Sequence, residues 1–192
     1  LQPIAIIIPV FFFIPMYNMM FPNKSPDYIA SHSGLYKKYG LLRWEDGKDH
    51  ALPQDYADML GWKELADKID AIYSTLPNQS QTFILCDNYG QAGAINYYTK
   101  NKNIRANSFN ADYINWFQLD KKYTNLIRVK SLESEGDELI ETSPFFDTAY
   151  VAGSITNAFS REYGTQIFVF LKATIDINKR IRQEIEDERN YH

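Results

Sequence analysis

The chain predicts an α/β fold: a mixed, mostly parallel sheet flanked by helices, with antiparallel strands near the C-terminus. Three observations carry this. Apolar runs of strand length alternate with helix-periodic segments through the middle of the chain. The passage TFILCDNYGQAGAINYY, residues 82–98, reads as strand, glycine turn and helix. Two strand-like runs, 148–156 and 165–172, then follow each other with only a short loop between them, as antiparallel neighbours do. At 192 residues, 45% hydrophobic and 23% charged, the chain has the apolar content for one domain with its own core.

Residues 1–22 carry no charge. As one helix they would extend about 33 Å, enough to cross a bilayer core. Pro9 and Pro15 interrupt the run, so two readings stand: the end of a transmembrane helix, or an apolar segment packed on the domain. Without an initiator Met, a basic leading stretch or an A-x-A cleavage pattern, a signal peptide does not fit, and the chain reads as the continuation of a longer one. Residues 23–58 mix Pro, Gly, Ser and short charged pieces and are expected to form a linker with one short helix over 33–42. Asn23-Lys24-Ser25 and Asn78-Gln79-Ser80 match the glycosylation sequon, a pattern short enough to arise by chance.

The soluble α/β domain is expected over 59–192. Trp62, Leu65, Ala66, Ile69, Ile72, Tyr73 and Leu76 fall at spacings of three and four and define an amphipathic helix, with Gly61 as N-cap, Glu64 in the first turn and Pro77 as the stop. A buried strand over 82–87 follows, then the Asn88-Tyr89-Gly90 turn and a helix over 91–99. Residues 100–103 form a basic, Asn-rich loop. Further elements are a strand over 104–109, a short helix or aromatic loop over 111–119, a strand over 126–130, a helical turn over 136–142, and the strand pair already noted. A charged helix over 176–189 closes the domain, with Ile177, Ile181 and Ile185 every fourth residue.

Composition excludes several functions. The formal net charge is −4 and the Lys and Arg residues are scattered, so nucleic acid is not an expected partner. Cys86 is the one cysteine, which rules out an intrachain disulfide or a thiolate metal cluster. His32, His50 and His192 show no ligand spacing, and neither a zinc site, a histidine triad nor a cofactor is called for.

Candidate chemistry gathers at the glycine turn. Asp87 ends an apolar strand where open α/β sheets place functional groups, or else it caps the turn. Gly90 and Gly93 bracket a helix start that would suit an anion, but GQAG lacks the spacing of a dinucleotide site or a P-loop, and the same glycines serve tight packing. Glu133, Glu135, Asp137, Glu138 and Glu141 form either a cation-attracting tract or a solvated loop without calcium-loop spacing. Tyr89, Tyr97, Tyr98, Tyr113, Trp116 and Phe117 suit a stacking platform for a sugar, or core. In the loop 157–164, Arg161 stands beside Glu162, as an exposed ion pair or a phosphate contact. The residues singled out for ligand or acceptor contact are Asp87, Asn88, Tyr89, Gly90, Gln91, Tyr113, Trp116 and Arg161; none is assigned as catalytic.

The blocks LPQDYADMLGW (52–62), DNYGQAGAINYY (87–98) and NAFSREYGTQIFVF (157–170), in this order and spacing, resemble the C-terminal extracytoplasmic part of bacterial membrane glycosyltransferases related to dolichyl-phosphate-mannose protein mannosyltransferases, glycosyltransferase family thirty-nine. The tract NSFNADYINWF (107–117) is similar to an Asn, Tyr and Trp region of those proteins, without their WGP-like turn. The resemblance implies a polytopic enzyme of the GT-C class, anchored in a bacterial inner membrane. It would move a sugar from a polyprenyl-phosphate carrier to an acceptor on the periplasmic side. It also implies that the catalytic acidic residue lies far N-terminal of this chain. This portion would then be accessory, with the membrane part of the same polypeptide, a lipid-linked sugar, or a glycan or protein acceptor as its partners. The alternative is an independent module that binds a sugar or phosphate at the Gly90 turn.

Overall fold

The computed structural model describes residues 2–132, 134 and 136–191, and the chain divides into two compact units. The first runs to Leu60 and includes Phe159–Arg161. It opens with helix α1, Gln2–Met20, which contains Pro9 and Pro15. From Ile4 to Met20 its side chains are exposed, Met19 alone being half-buried. Nineteen residues make about 28 Å of helix, slightly less than a bilayer's hydrocarbon thickness. Among the described residues no helix is long and apolar enough to cross a membrane.

The segment expected as a linker is instead packed. Helices α2, Pro26–Ser31, and α3, Ser33–Lys38, are followed by α4, Gln54–Ala57. Ser25 caps α2 by accepting from the Tyr28 N–H at 3.2 Å, with Pro26 pre-set for the first turn. Ile29, Tyr36, Leu42, Leu52 and Tyr56 form a small core. Trp44 donates its indole N–H to the Leu52 carbonyl at 2.8 Å and stacks on His50 at 3.7 Å. These apolar positions come singly from short elements, so no helical period announces them.

The second unit holds the sheet. Its elements are α5 (Trp62–Thr75), β1 (Thr82–Cys86), α6 (Tyr89–Tyr98), β2 (Ala106–Ser108), β3 (Asn125–Lys130), α7 (Glu138–Thr142), β4 (Phe146–Ser154), β5 (Gln166–Ala173) and α8 (Ile177–Tyr191). The strand order is β2-β1-β3-β5-β4. β1 runs parallel to β2 and β3, and β5 runs antiparallel to β3 and β4. The sheet is therefore parallel at its start and antiparallel at its C-terminal strands, as the order of segments predicts. β4 is an outer strand whose register shifts between Val151 and Gly153.

The two faces of the sheet bury different layers. Ile84, Cys86, Ile127, Val129, Ile167 and Val169 point to one side and pack with Leu65, Ile69 and Tyr73 of α5 and Ala92 and Ile95 of α6. Phe83 and the partly buried Leu85 and Leu126 point to the other, against Ile177, Ile181 and Ile185 of α8. The period of two in the strands and of four in α8 produces this three-layer arrangement. Gly61, at φ 87°, takes the left-handed conformation that precedes α5. Cys86 is buried, and burial pushes its thiol far above the usual range, so it packs as a small apolar side chain.

Candidate functional site

Asp87 leaves the carboxyl end of β1, and both of its carboxylate oxygens are engaged inside the protein. One accepts from the Arg128 guanidinium; the other accepts from the Ser131 backbone N–H at 2.8 Å and the Ser134 hydroxyl at 2.6 Å. The parallel register places Arg128 opposite Leu85, so its side chain reaches over the end of β1. Arg128 also lies 3.5 Å from the Glu138 carboxylate, which is 3.7 Å from the Lys130 ammonium. All four side chains are at most 17% exposed. Such a chain of alternating charges holds together where a lone buried charge would not.

Asn88 and Gln91 build the turn itself. The Asn88 side chain accepts from the Gln91 N–H at 2.9 Å, the bond of a helix N-cap, and this starts α6 two residues earlier than the sequence pattern suggests. Gln91 is fully buried. Its amide nitrogen donates to the Ser131 hydroxyl and to Glu162, both at 2.8 Å, while its amide oxygen accepts from the Asp87 N–H at 3.1 Å. Gly90 sits in a tight place: a Cβ there would be 3.1 Å from the Asn88 oxygen and 3.3 Å from the Trp62 ring, so a neighbour would have to give by a few tenths of an ångström. The residues of the turn thus satisfy one another.

The aromatic candidates divide. Tyr89 and Trp116 are exposed, at 57% and 58%. Tyr113 is half-buried, with its ring 4.7 Å from that of Trp116 and its hydroxyl 3.2 Å from where a Cβ on Gly93 would stand. Phe117 belongs to the apolar layer beneath α8, stacked on Phe109 at 5.0 Å. Tyr97 and Tyr98 are exposed and pack edge to face at 4.8 Å. Arg161 belongs to the first unit, where it pairs with Asp58 at 3.4 Å and Glu45 at 3.5 Å. Glu162 belongs to the second, where it accepts from Gln91 and Thr165. Arg161 thus takes its carboxylate partners, Glu45 and Asp58, from distant sequence.

Within the acidic tract, Asp137 caps α7 by accepting from the Leu139 and Ile140 N–H groups, and Glu138 joins the Arg128 network; Glu133 and Glu135 lie outside the described residues. Among the described residues no three His, Cys, Asp or Glu side chains gather to hold a metal ion. Arg128, Lys130, Ser131 and Ser134 join the site from outside the residues that the sequence singles out. The available signal was an Arg inside the apolar run NLIRVK, a residue that needs a buried acid in a parallel neighbour.

A second polar region lies at the opposite, amino end of β1, β2 and β3. There a groove of about 720 Å³ opens between the turn before β1, the loop 102–105 and the approach to β3 at 118–123. No family model matches the chain, and no curated protein or solved structure is significantly similar to it.

Proposed function

We propose that this chain is the extracytoplasmic, membrane-adjoining part of a polytopic GT-C glycosyltransferase, of the kind that its ordered sequence blocks resemble. The whole enzyme would transfer a sugar from a polyprenyl-phosphate carrier to an acceptor outside the cytoplasm. This part is accessory: it covers the membrane active site or receives the acceptor. The observation that carries the reading is α1, an uncharged helix whose side chains are exposed from Ile4 to Phe13 and beyond. A water-soluble protein rarely leaves so large a contiguous apolar surface uncovered. Hydrocarbon, or neighbouring membrane helices of the same polypeptide, is the surrounding that such a helix fits.

The engaged state of Asp87, Asn88 and Gln91 favours the accessory role over an independent ligand module centred on the Gly90 turn. Vesicle flotation tests the membrane part. The full chain should float with phosphatidylglycerol–phosphatidylcholine vesicles and a form lacking residues 1–22 should stay below. Equal behaviour of the two forms, or a coding sequence upstream of Leu1 that specifies no polytopic region, would sink the proposal.

A further inference from the structure

The groove at the amino end of the sheet differs in charge from the rest of an acidic chain. Lys102, Arg105 and Lys121 line it, with Asp120 as the one carboxylate among the lining residues. Among the described residues none of the three cations forms an ion pair; the Lys102 ammonium only donates to the Thr99 carbonyl, at 3.4 Å. Elsewhere in this unit Lys63, Lys68, Lys100, Arg128, Lys130 and Arg180 have carboxylate partners, while Lys122, Lys172, Lys179, Arg182 and Arg189 form no ion pair among the described residues; what sets the groove apart is that three such cations line one concave surface. Cations that outnumber carboxylates on a concave surface concentrate anions there.

Uncharged polar groups accompany them. Asn78, Ser80, Asn103 and Gln118 line the same groove, and their side chains bond no protein group among the described residues. The walls, in contrast, are firmly set. Tyr73 donates its hydroxyl to the Gln79 carbonyl at 2.7 Å, and Tyr123 donates to the Gln118 carbonyl at 2.9 Å. Asn125, 1% exposed, donates to the Pro77 carbonyl at 2.8 Å behind them. Asp70 accepts from the Lys100 and Asn101 N–H groups at 2.8 and 3.3 Å, which fixes the turn carrying Lys102. Walls held by these hydrogen bonds and lined by largely unengaged donors are a preorganised recognition surface. The volume suits a mono- or disaccharide, within the ~300–1,000 Å³ of small-ligand sites.

We propose that this groove binds an anionic sugar, a mono- or disaccharide carrying a phosphate or a carboxylate. Lys102, Arg105 and Lys121 take the charged group; Asn78, Ser80, Asn103 and Gln118 take ring hydroxyls. The inference does not depend on the transferase reading, since it needs neither a membrane nor a catalytic residue.

The test is a titration of the full chain in nonionic detergent, followed by amide chemical shifts, with four probes: glucose 1-phosphate, glucuronate, glucose and inorganic phosphate. A saturable response at Asn103, Arg105 and Lys121 is expected from glucose 1-phosphate or glucuronate, and the stronger of the two identifies the anion. Glucose and inorganic phosphate should bind at least tenfold more weakly. Replacing Lys102, Arg105 and Lys121 together by Ala should weaken binding at least tenfold. Asp120→Ala should strengthen it several-fold, a gain that misfolding cannot mimic. No saturable response to either anionic sugar overturns the proposal. Glucose binding as tightly removes the role of charge, and inorganic phosphate binding as tightly removes the sugar; either outcome also overturns it.

Discussion

At the carboxyl end of β1 and β3, Asp87, Arg128, Glu138 and Lys130 are largely buried and bonded to one another; at the amino end of the same sheet, Lys102, Arg105 and Lys121 border an open groove that holds one carboxylate. Both ends are rich in polar side chains, and open α/β sheets generally bind ligands at the carboxyl end. Here the difference in satisfaction matters more than the position. Groups already engaged by the protein have less to offer a ligand than unpaired donors on fixed walls.

The contrast breaks most visibly at Asp87. Asp87→Ala leaves the Arg128 guanidinium without its nearest carboxylate in a mostly buried setting and should cost about 3–5 kcal/mol in urea unfolding. A loss under about 1 kcal/mol would mean that the cluster is not holding the sheet, and a ligand role for Asp87 would reopen.

A second internal carboxylate sharpens the comparison through pH. Burial of Glu64 would raise its pKa, but hydrogen bonds from Lys68 and from the hydroxyl and N–H of Thr156, at 2.6–2.8 Å, outweigh it and bring the group down to about 2. A carboxyl whose folded pKa lies below its unfolded value stabilises the fold fully above the unfolded pKa of about 4.3, and loses that contribution as pH falls toward 2. The loss should be on the order of 2 kcal/mol, with the group still partly screened by solvent. Glu64→Gln should flatten this part of the stability-versus-pH curve; an unchanged slope would refute the assignment.

Smaller effects follow. Asn88→Ala removes the cap of α6 and should cost about 1 kcal/mol by thermal or urea denaturation, whereas a Ser there should retain most of it. At the amino end, single Ala substitutions of Lys102, Arg105 or Lys121 should change stability by no more than about 0.5 kcal/mol each. Larger losses there would place these cations in the internal framework and erase the distinction between the two ends.

Much of the framework is legible in the sequence because it depends on local period. The α5 stripe, the apolar run of β1 and the four-residue spacing of Ile177, Ile181 and Ile185 each bury the face that their spacing names. Ends are displaced where a side chain intervenes: Asn88 advances the start of α6, and β4 begins at Phe146, ahead of the expected 148, because Phe146 pairs with Ala173. The packed 23–58 segment is not legible, since Ile29, Leu42 and Tyr56 meet only in three dimensions. The same holds for the site. Asp87 stands where expected, but its partners Arg128 and Ser134 come from over forty residues away, and nothing local in DNYG shows that its oxygens are already taken. The basic tracts at 100–105 and 121–122 are visible in the sequence. Their convergence on one groove depends on β1 lying between β2 and β3.

The register shift in β4 bears on how readily another strand could add to the sheet. As an outer strand, FDTAYVAGS presents a row of backbone donors and acceptors with one charge and no proline, and Tyr150 and Val151 are exposed beside it. Such a margin invites intermolecular strand addition and fibril growth. The irregularity between Val151 and Gly153 disrupts the even spacing of that row, and Lys68 occupies the Ser154 carbonyl at its end. An incoming strand would find only the short stretch from Phe146 to Val151 in step, so the bulge shortens the margin open to strand addition.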